Sequence, residues 1–210
     1  MPAFESAWAS GVRWCECDVH VTRDRRVVVL HDETLDRMTT GTGPVERQWY
    51  QALSRERLRD AEGNVTSFEV PLLTDVLHAM PRECGMLIEL KAHMPSFHHV
   101  AGAMIARGWK VGVQSFDPRN LEGMCEAGLR GKAFLLADDV RAVQVAADLG
   151  CAGINLRHDL IDARLVQKLN DLNLSVGAWT VNERHDIERL TDAGVDLIIT
   201  DDPLMALRGE

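Results

Sequence analysis

From residue 85 onward, short runs of apolar and β-branched residues alternate with amphipathic stretches. Short apolar runs are typical of buried strands, and the stretches between them have the periodicity of helices with one apolar face. The predicted strands are 86–90, 110–115, 132–136, 153–156, 174–181 and 196–200, and the predicted helices are 97–107, 118–127, 138–149, 162–171 and 184–193. This repetition predicts an α/β fold with a parallel sheet and helices packed outside it.

Residues that favour helix ends occur at the boundaries of these predicted helices. Asp162, Asn182 and Ser96 precede helices and are predicted N-caps. Glycines stand where helices should stop, at Gly108, Gly128, Gly150 and Gly194.

The first part of the chain has a different pattern. Residues 14–21 and 27–30 both resemble strands, but only about five residues separate them. A crossover between parallel neighbours needs a dozen residues or more, so we predict a hairpin or a sharply folded strand extension. The segment 41–73 begins with GTGP and continues as a polar stretch with aromatics and a loop at 61–71, before a helix at 72–80. We interpret it as a cap inserted over one end of a barrel.

Counting one barrel strand from the first pair and the six later strands gives seven parallel units. A closed (β/α)8 barrel needs eight, and a helix predicted over 2–10 should itself follow a strand. We therefore predict a TIM (β/α)8-type barrel whose first strand is missing. The length of 210 residues is at the short end for barrels, which typically have ~250 residues.

Composition narrows the range of partners. The chain has 32 acidic and 23 basic residues, a formal charge of −9, and only 5% aromatic residues, which argues against nucleic-acid binding. Five scattered cysteines without a C-x-x-C pair predict reduced, mostly buried thiols. Neither a leader pattern nor a long apolar run is present, so we expect a cytoplasmic protein without a membrane span. The oligomeric state stays open.

Two carboxylates in the first strand are candidates for a metal site. Glu16 and Asp18 are two residues apart, so they share one strand face, while Cys15 and Cys17 share the other. Close like charges raise a pKa and destabilise the fold, and a divalent cation would neutralise them. The alternative is a strand with a solvated acidic face.

Glu89 adds a third carboxylate, inside the otherwise apolar strand 86–90. Buried carboxylates need partners, and Lys91 lies two residues further on and faces the same way. Three carboxylates from two strands favour a site for a hard cation.

Two histidines are near these groups in the pattern. His31 ends the apolar run 27–30, at a strand end where barrel enzymes place catalytic groups, although a structural role is the alternative. His20 shares the face of Glu16 and Asp18 and is either a supporting group beside them or a solvent-facing histidine near a turn.

The chain resembles the glycerophosphodiester phosphodiesterase family over nearly its whole length. The motifs that carry the resemblance are the run ECDVHVTRD followed by VVVLHDETLDRMTTGTG within 16–43, VPLLTDVL at 70–77, IELK at 88–91, QSFDP at 114–118, WTVN at 179–182 and GVDLIITDDP at 194–203. The resemblance implies a distorted TIM barrel of the phospholipase C-like phosphodiesterase kind. It also implies hydrolysis of small glycerophosphodiesters to sn-glycerol 3-phosphate and an alcohol, with Mg²⁺ or Ca²⁺.

The family also implies a role for each matching residue. The resemblance leaves open whether water attacks the phosphate directly or the glycerol hydroxyl of the substrate attacks first and gives a cyclic phosphate that water then opens. The implied metal ligands are Glu16, Asp18 and Glu89, the general acid/base is His31, the phosphate or carboxylate partner is Lys91, and the residues lining the substrate cleft are Phe116 and Trp179.

One departure from the family pattern affects the expected activity. Family members open with a strand that carries His-Arg-Gly, followed by Glu-Asn-Thr, and the resemblance here starts after both. We therefore expect a single domain over 1–210, truncated at its N-terminus and inactive if Met1 is the true start. The alternatives are a pseudo-enzyme that binds glycerophosphodiesters without turnover and a sphingomyelinase D-like phospholipase.

Overall fold

Strand β1 (Trp14–Val21) organises the first part of the protein. The computed structural model describes residues 1–207 and forms two compact units, Met1–Ala92 and a second that begins at His93. In the first unit β1 pairs in parallel with β5 (Gly85–Leu90) and antiparallel with β2 (Val27–Val29). The antiparallel pairing confirms that the two early strands form a hairpin rather than a crossover unit.

The other elements of the first unit are short, and this unit has a small hydrophobic core of its own. Helices α1 (Pro2–Ala9), α2 (Tyr50–Leu53) and α3 (Leu73–Ala79) belong to this unit, with strands β3 (Arg57–Arg59), β4 (Val65–Glu69) and β5 (Gly85–Leu90). The buried residues that pack together are Val28, Leu30, Leu35, Val45, Leu53 and Val70. That this segment covers one end of a barrel stays a prediction.

Strand β4 lies inside the predicted loop 61–71, so that part of the prediction was wrong. Among the described strands it pairs with β3 alone, in an antiparallel two-stranded sheet, and four of its five residues are exposed. A strand with so little buried surface lacks the alternation of apolar and polar residues that identifies strands from sequence. Gly63, with a φ of +85°, turns the chain just before it.

The second unit repeats strand and helix in strict alternation. Its helices are α4 (Phe97–Ala106), α5 (Pro118–Glu126), α6 (Ala142–Leu149), α7 (Ala163–Asp171), α8 (Arg184–Ala193) and α9 (Pro203–Leu207). Its strands are β6 (Lys110–Ser115), β7 (Ala133–Ala137), β8 (Gly153–Arg157), β9 (Ser175–Trp179) and β10 (Leu197–Ile198), which lie in chain order. Consecutive strands are parallel, which confirms the βαβα prediction. Within residues 1–207, the seven strands predicted for the parallel units are all present, β1 and β5 in the first unit and β6 to β10 in the second.

Several helix ends are where the sequence predicts them. The Asp162 side chain accepts a hydrogen bond from the Leu165 amide at 2.8 Å and caps α7. Ser96 occupies the N-cap position of α4, but its side chain makes no capping hydrogen bond. Gly150 and Gly194 end α6 and α8 in the left-handed conformation, with φ values of +69° and +85°.

Asn182 does not cap α8, contrary to the prediction. The N-cap position belongs to Glu183, and the Asn182 side chain instead contacts Asp201. Its Nδ2 donates to the Asp201 carboxylate at 2.7 Å, and its Oδ1 accepts from the Asp201 amide at 3.0 Å. Asn182 therefore joins the segments that follow β9 and β10, a long-range contact that a local capping pattern does not reveal.

All five cysteines are free and buried, as the sequence predicts. Burial raises the pKa of Cys15 to about 11 and that of Cys151 to about 12, so both thiols stay protonated at neutral pH. Within residues 1–207, no helix has the length and apolar character needed to cross a membrane.

Candidate active site

The pairing of β1 with β5 brings together the three predicted metal ligands. In this parallel pair Asp18 lies opposite Glu89, and Glu16 lies opposite Leu87. Cys17 is buried on the other face of β1, which confirms the predicted alternation of faces.

The spacing of the three carboxylates fits one hard cation. Glu16, Asp18 and Glu89 each offer an oxygen, and these atoms all lie within 4.8 Å of one another. Oxygen ligands bind Mg²⁺ at about 2.0–2.1 Å and Ca²⁺ at about 2.3–2.6 Å, so two oxygens on one ion are at most about 4.2 Å apart for Mg²⁺ and about 5.2 Å apart for Ca²⁺. A separation of 4.8 Å is therefore within the range for Ca²⁺ and would have to shorten slightly for Mg²⁺. The donor set, which contains only carboxylate oxygens, is the type that both ions prefer.

Lys91 lies against two of the carboxylates. Its Nζ is 2.7 Å from Oε1 of Glu89 and 3.1 Å from Oδ1 of Asp18. Burial raises the pKa of Glu89; burial alone would lower that of Lys91, but its hydrogen bond with Glu89 and the charge of Asp18 raise it. Lys91 is therefore an ammonium at neutral pH, and one ammonium does not balance three carboxylates. This imbalance favours binding of a divalent cation.

His31 follows β2, and hydrogen bonds connect this part of the chain to β1. The Leu30 amide donates to the carbonyl of Asp18 at 3.1 Å, and Nε2 of His20 lies 3.2 Å from the carbonyl of His31. His20 is 5% exposed, so the solvent-facing alternative for this residue was wrong. Burial lowers the pKa of His20, which keeps its ring neutral, and the neutral ring donates its Nε2 proton to His31.

The imidazole of His31 contacts a carboxylate that the sequence reasoning missed. Nδ1 of His31 is 2.8 Å from Oδ1 of Asp32, and Arg37 donates to both oxygens of Asp32, from Nε at 2.7 Å and from its terminal nitrogen at 2.5 Å. The hydrogen bond from Arg37 lowers the pKa of Asp32 to about 2. The signal available in the sequence was the His-Asp pair at a strand end, with an arginine five residues later.

The two predicted cleft residues lie together in the second unit. The rings of Phe116 and Trp179 meet edge to face, with centroids 5.4 Å apart and planes 88° apart. Phe116 is 48% exposed, and Nε1 of Trp179 donates to the carbonyl of Asn155 at 2.9 Å. The pair thus offers an apolar surface whose indole is fixed by a hydrogen bond.

Two buried side-chain amides link strands β8 and β6 next to Trp179, a feature that the sequence reasoning also missed. Nδ2 of Asn155 on β8 donates to Oε1 of Gln114 on β6 at 2.7 Å, and both residues are almost fully buried. A Cβ at Gly177 on β9 would be 2.0 Å from Oδ1 of Asn155, so only glycine leaves room for this amide. Amides inside apolar strands were the sequence signal for this network.

Comparison with known proteins identifies the family. The model of the Glycerophosphoryl diester phosphodiesterase family matches residues 1–205. YhdW of Bacillus subtilis strain 168 is 30% identical over 217 residues, which covers 96% of this chain and 87% of that protein. A glycerophosphodiester phosphodiesterase of Caldanaerobacter subterraneus is 28% identical over 211 residues, covering 96% of this chain and 87% of its own.

A solved structure shares the fold. The phosphodiesterase of Oleispira antarctica, solved in complex with the product sn-glycerol-3-phosphate, superposes with a TM-score of 0.84 at 20% identity, covering 98% of this chain and 87% of its own. The predicted TIM-type α/β fold is therefore confirmed. With a family model that matches almost every residue and a fold shared along the chain, this protein belongs to the glycerophosphoryl diester phosphodiesterase family.

Proposed function

We propose that the chain is a metal-dependent phosphodiesterase that hydrolyses small glycerophosphodiesters to sn-glycerol 3-phosphate and an alcohol. The observation that carries the proposal is the cluster of Glu16, Asp18 and Glu89 with Lys91 against it. Membership of the family and the product named for the Oleispira antarctica structure support the same reaction class.

The cluster would hold Mg²⁺ or Ca²⁺ through Glu16, Asp18 and Glu89. A bound divalent cation supplies charge neutralisation for the phosphoryl oxygens. Lys91 stays protonated between the carboxylates, so its ammonium can orient Glu89 and donate a hydrogen bond to a phosphate oxygen. These groups together explain how a chain with a formal charge of −9 can bind an anionic substrate.

His31 is the proposed general acid/base. Its side chain is 57% exposed, and Nδ1 is engaged by Asp32, which leaves Nε2 as the atom that takes or gives a proton. Protonation of the departing alkoxide is the step that most needs such a group. Phe116 and Trp179 keep the role that the family implies for them, apolar contact with the substrate.

A coupled assay for glycerol 3-phosphate on glycerophosphocholine, with Mg²⁺ or Ca²⁺, tests the proposal. Two forms are compared, the chain as printed and a form extended by a first strand carrying His-Arg-Gly. We expect metal-dependent product in the extended form, lost in its His31→Ala variant while metal binding remains.

The other outcomes separate the alternatives. Equal activity in both forms would show that hydrolysis does not need the histidine of the added strand. Substrate binding without product in both forms would indicate a pseudo-enzyme. A cyclic phosphate as the end product, detected by phosphorus NMR, would indicate a sphingomyelinase D-like reaction.

A further inference from the structure

Three side chains in the loop after β2 form a continuous chain of hydrogen bonds. Arg37 holds Asp32 through both carboxylate oxygens, at 2.7 Å and 2.5 Å, and one of those oxygens also contacts Nδ1 of His31 at 2.8 Å. A two-point arginine contact fixes the plane of a carboxylate as well as its position. The carboxylate therefore offers His31 an acceptor in a fixed place.

The charge of Asp32 decides where the shared proton lies. Its pKa is about 2, because Arg37 donates hydrogen bonds to it, so it is ionised at neutral pH and can only accept. The proton between Asp32 and His31 must then belong to Nδ1 of the imidazole. In the neutral ring this assigns the lone pair to Nε2.

Hydrogen bonds to β1 fix the backbone at His31. Its carbonyl accepts a hydrogen bond from the buried ring of His20, and the amide of the preceding residue, Leu30, donates to the backbone carbonyl of Asp18. The charged groups that face His20 are Asp18, Glu33 and Lys91. Thus both the main chain and the ring of His31 are fixed, although more than half of its side chain is exposed.

We propose that Asp32 is a positioning residue that keeps His31 in the Nδ1-protonated tautomer with Nε2 free to exchange a proton, and that Arg37 fixes Asp32 for this purpose. The inference rests on the proposed function for what the Nε2 proton does, but the tautomer itself is independent of any reaction. An exposed ion pair such as that of Arg37 and Asp32 contributes only a small stabilisation, so orientation of the imidazole is the main effect of the arrangement.

The direct test is long-range nitrogen–proton NMR of the histidine rings in the ¹⁵N-labelled chain, without metal, at a pH where His31 is neutral. We expect the wild-type His31 ring to carry its proton on Nδ1. In Asp32→Asn the amide can donate to Nδ1, so the proton should move to Nε2 in a large share of molecules. Asp32→Glu should restore part of the Nδ1-protonated form, and Arg37→Gln should weaken it.

A matched control is Asp186→Asn in the second unit. Asp186 is also held by an arginine, Arg189 at 2.8 Å, and also lies near a histidine, with Nδ1 of His158 at 3.5 Å. This change should leave the ring signals of His31 and the rate of hydrolysis unaltered. Amide spectra of each variant show whether the fold is intact.

The kinetic readout uses the active form from the assay above. Asp32→Asn should lower kcat about 10–100-fold with KM and metal affinity nearly unchanged, and Asp32→Glu should recover part of the loss. A wild-type His31 protonated on Nε2, or a tautomer unaltered by Asp32→Asn, would overturn the inference. Absence of hydrolysis in the wild type would instead contradict the proposed function while the tautomer result still tests the inference.

Discussion

At the scale of single residues, the chemistry of the site comes from carboxylates placed next to each other. Asp18 and Glu89 are direct neighbours across β1 and β5, and Glu89 is only 7% exposed. Lys91 compensates part of this charge, and a divalent cation is the remaining partner that fits three oxygen ligands. Under the proposed function, each carboxylate is therefore needed for metal binding, and Lys91 for the balance of charge.

Replacing Glu16 tests this division of roles. Glu16→Gln removes one charged ligand, and we expect Mg²⁺ affinity measured by calorimetry to fall at least ~100-fold, which equals about 2.7 kcal/mol. Glu62→Gln, which changes an exposed carboxylate in the turn before β4, is the matched control and should leave affinity unchanged. An unaltered affinity in Glu16→Gln would refute the ligand assignment.

The pair of Asp32 and Arg37 predicts a specific pH dependence. The folded-state pKa of Asp32 is about 2, below its ordinary value of 3.8. The contribution of the pair to the free energy of unfolding is therefore complete at pH values above 3.8. The stabilisation is lost as the pH falls from there through about 2. In urea unfolding, the difference between wild type and Arg37→Gln should be constant from pH 5 to 7 and shrink as the pH approaches 3. A difference that grows towards pH 3 would contradict this sign.

At the scale of elements, strand alternation was the most informative sequence pattern. A strand has two faces, so the order Glu16, Cys17, Asp18 determines which side chains share a face as soon as β1 is recognised. The parallel strands of the second unit were predictable for a different reason, because their short apolar runs are separated by amphipathic helices. Strand β4 was not, since it buries almost nothing.

Contacts between side chains of different segments could not be predicted from local patterns. The sequence pattern predicted Asn182 as a helix cap, but its side chain donates a hydrogen bond to Asp201. The hydrogen bond from Arg37 to Asp32 depends on the path of a loop without regular structure. The proposed metal ligands were predictable as a group because regular strands position them. The residues that orient His31 were not, because loop geometry and tertiary contacts position them.

The close approach of β8 and β9 gives a prediction at this scale. Gly177→Ala would place a Cβ 2.0 Å from Oδ1 of Asn155 and force that buried amide away from Gln114. We expect the free energy of unfolding to fall by about 1–3 kcal/mol in urea titrations. Gly131→Ala, where no atom lies within 4 Å of the added Cβ, should change it by less than about 0.5 kcal/mol. Equal effects of the two changes would contradict the packing described for Gly177.

At the scale of the whole molecule, the net negative charge of the protein opposes the approach of the anionic substrates proposed for it. The formal charge of −9 repels anions at long range, whereas the proposed cation and Lys91 attract phosphate at short range. Added salt screens the long-range repulsion, with a Debye length of about 10 Å at 0.1 M, and affects the site itself less.

This balance predicts how salt changes activity. For an anionic glycerophosphodiester, such as glycerophosphoglycerol, kcat/KM of the active form should rise about two- to threefold between 0.02 and 0.2 M salt. For glycerophosphocholine, which has no net charge, it should change much less. Steady-state kinetics on both substrates with the metal saturating give the comparison, and a fall in kcat/KM for the anionic substrate alone would show that local attraction outweighs the repulsion.

The most direct test of the central claim is an anomalous-scattering measurement on crystals of the chain soaked with Mn²⁺, a substitute for Mg²⁺ that is visible at its absorption edge. The account predicts an anomalous peak within bonding distance of the carboxylates of Glu16, Asp18 and Glu89. Ordered crystals with these three side chains in place but no peak between them, or with manganese bound only elsewhere, would contradict it.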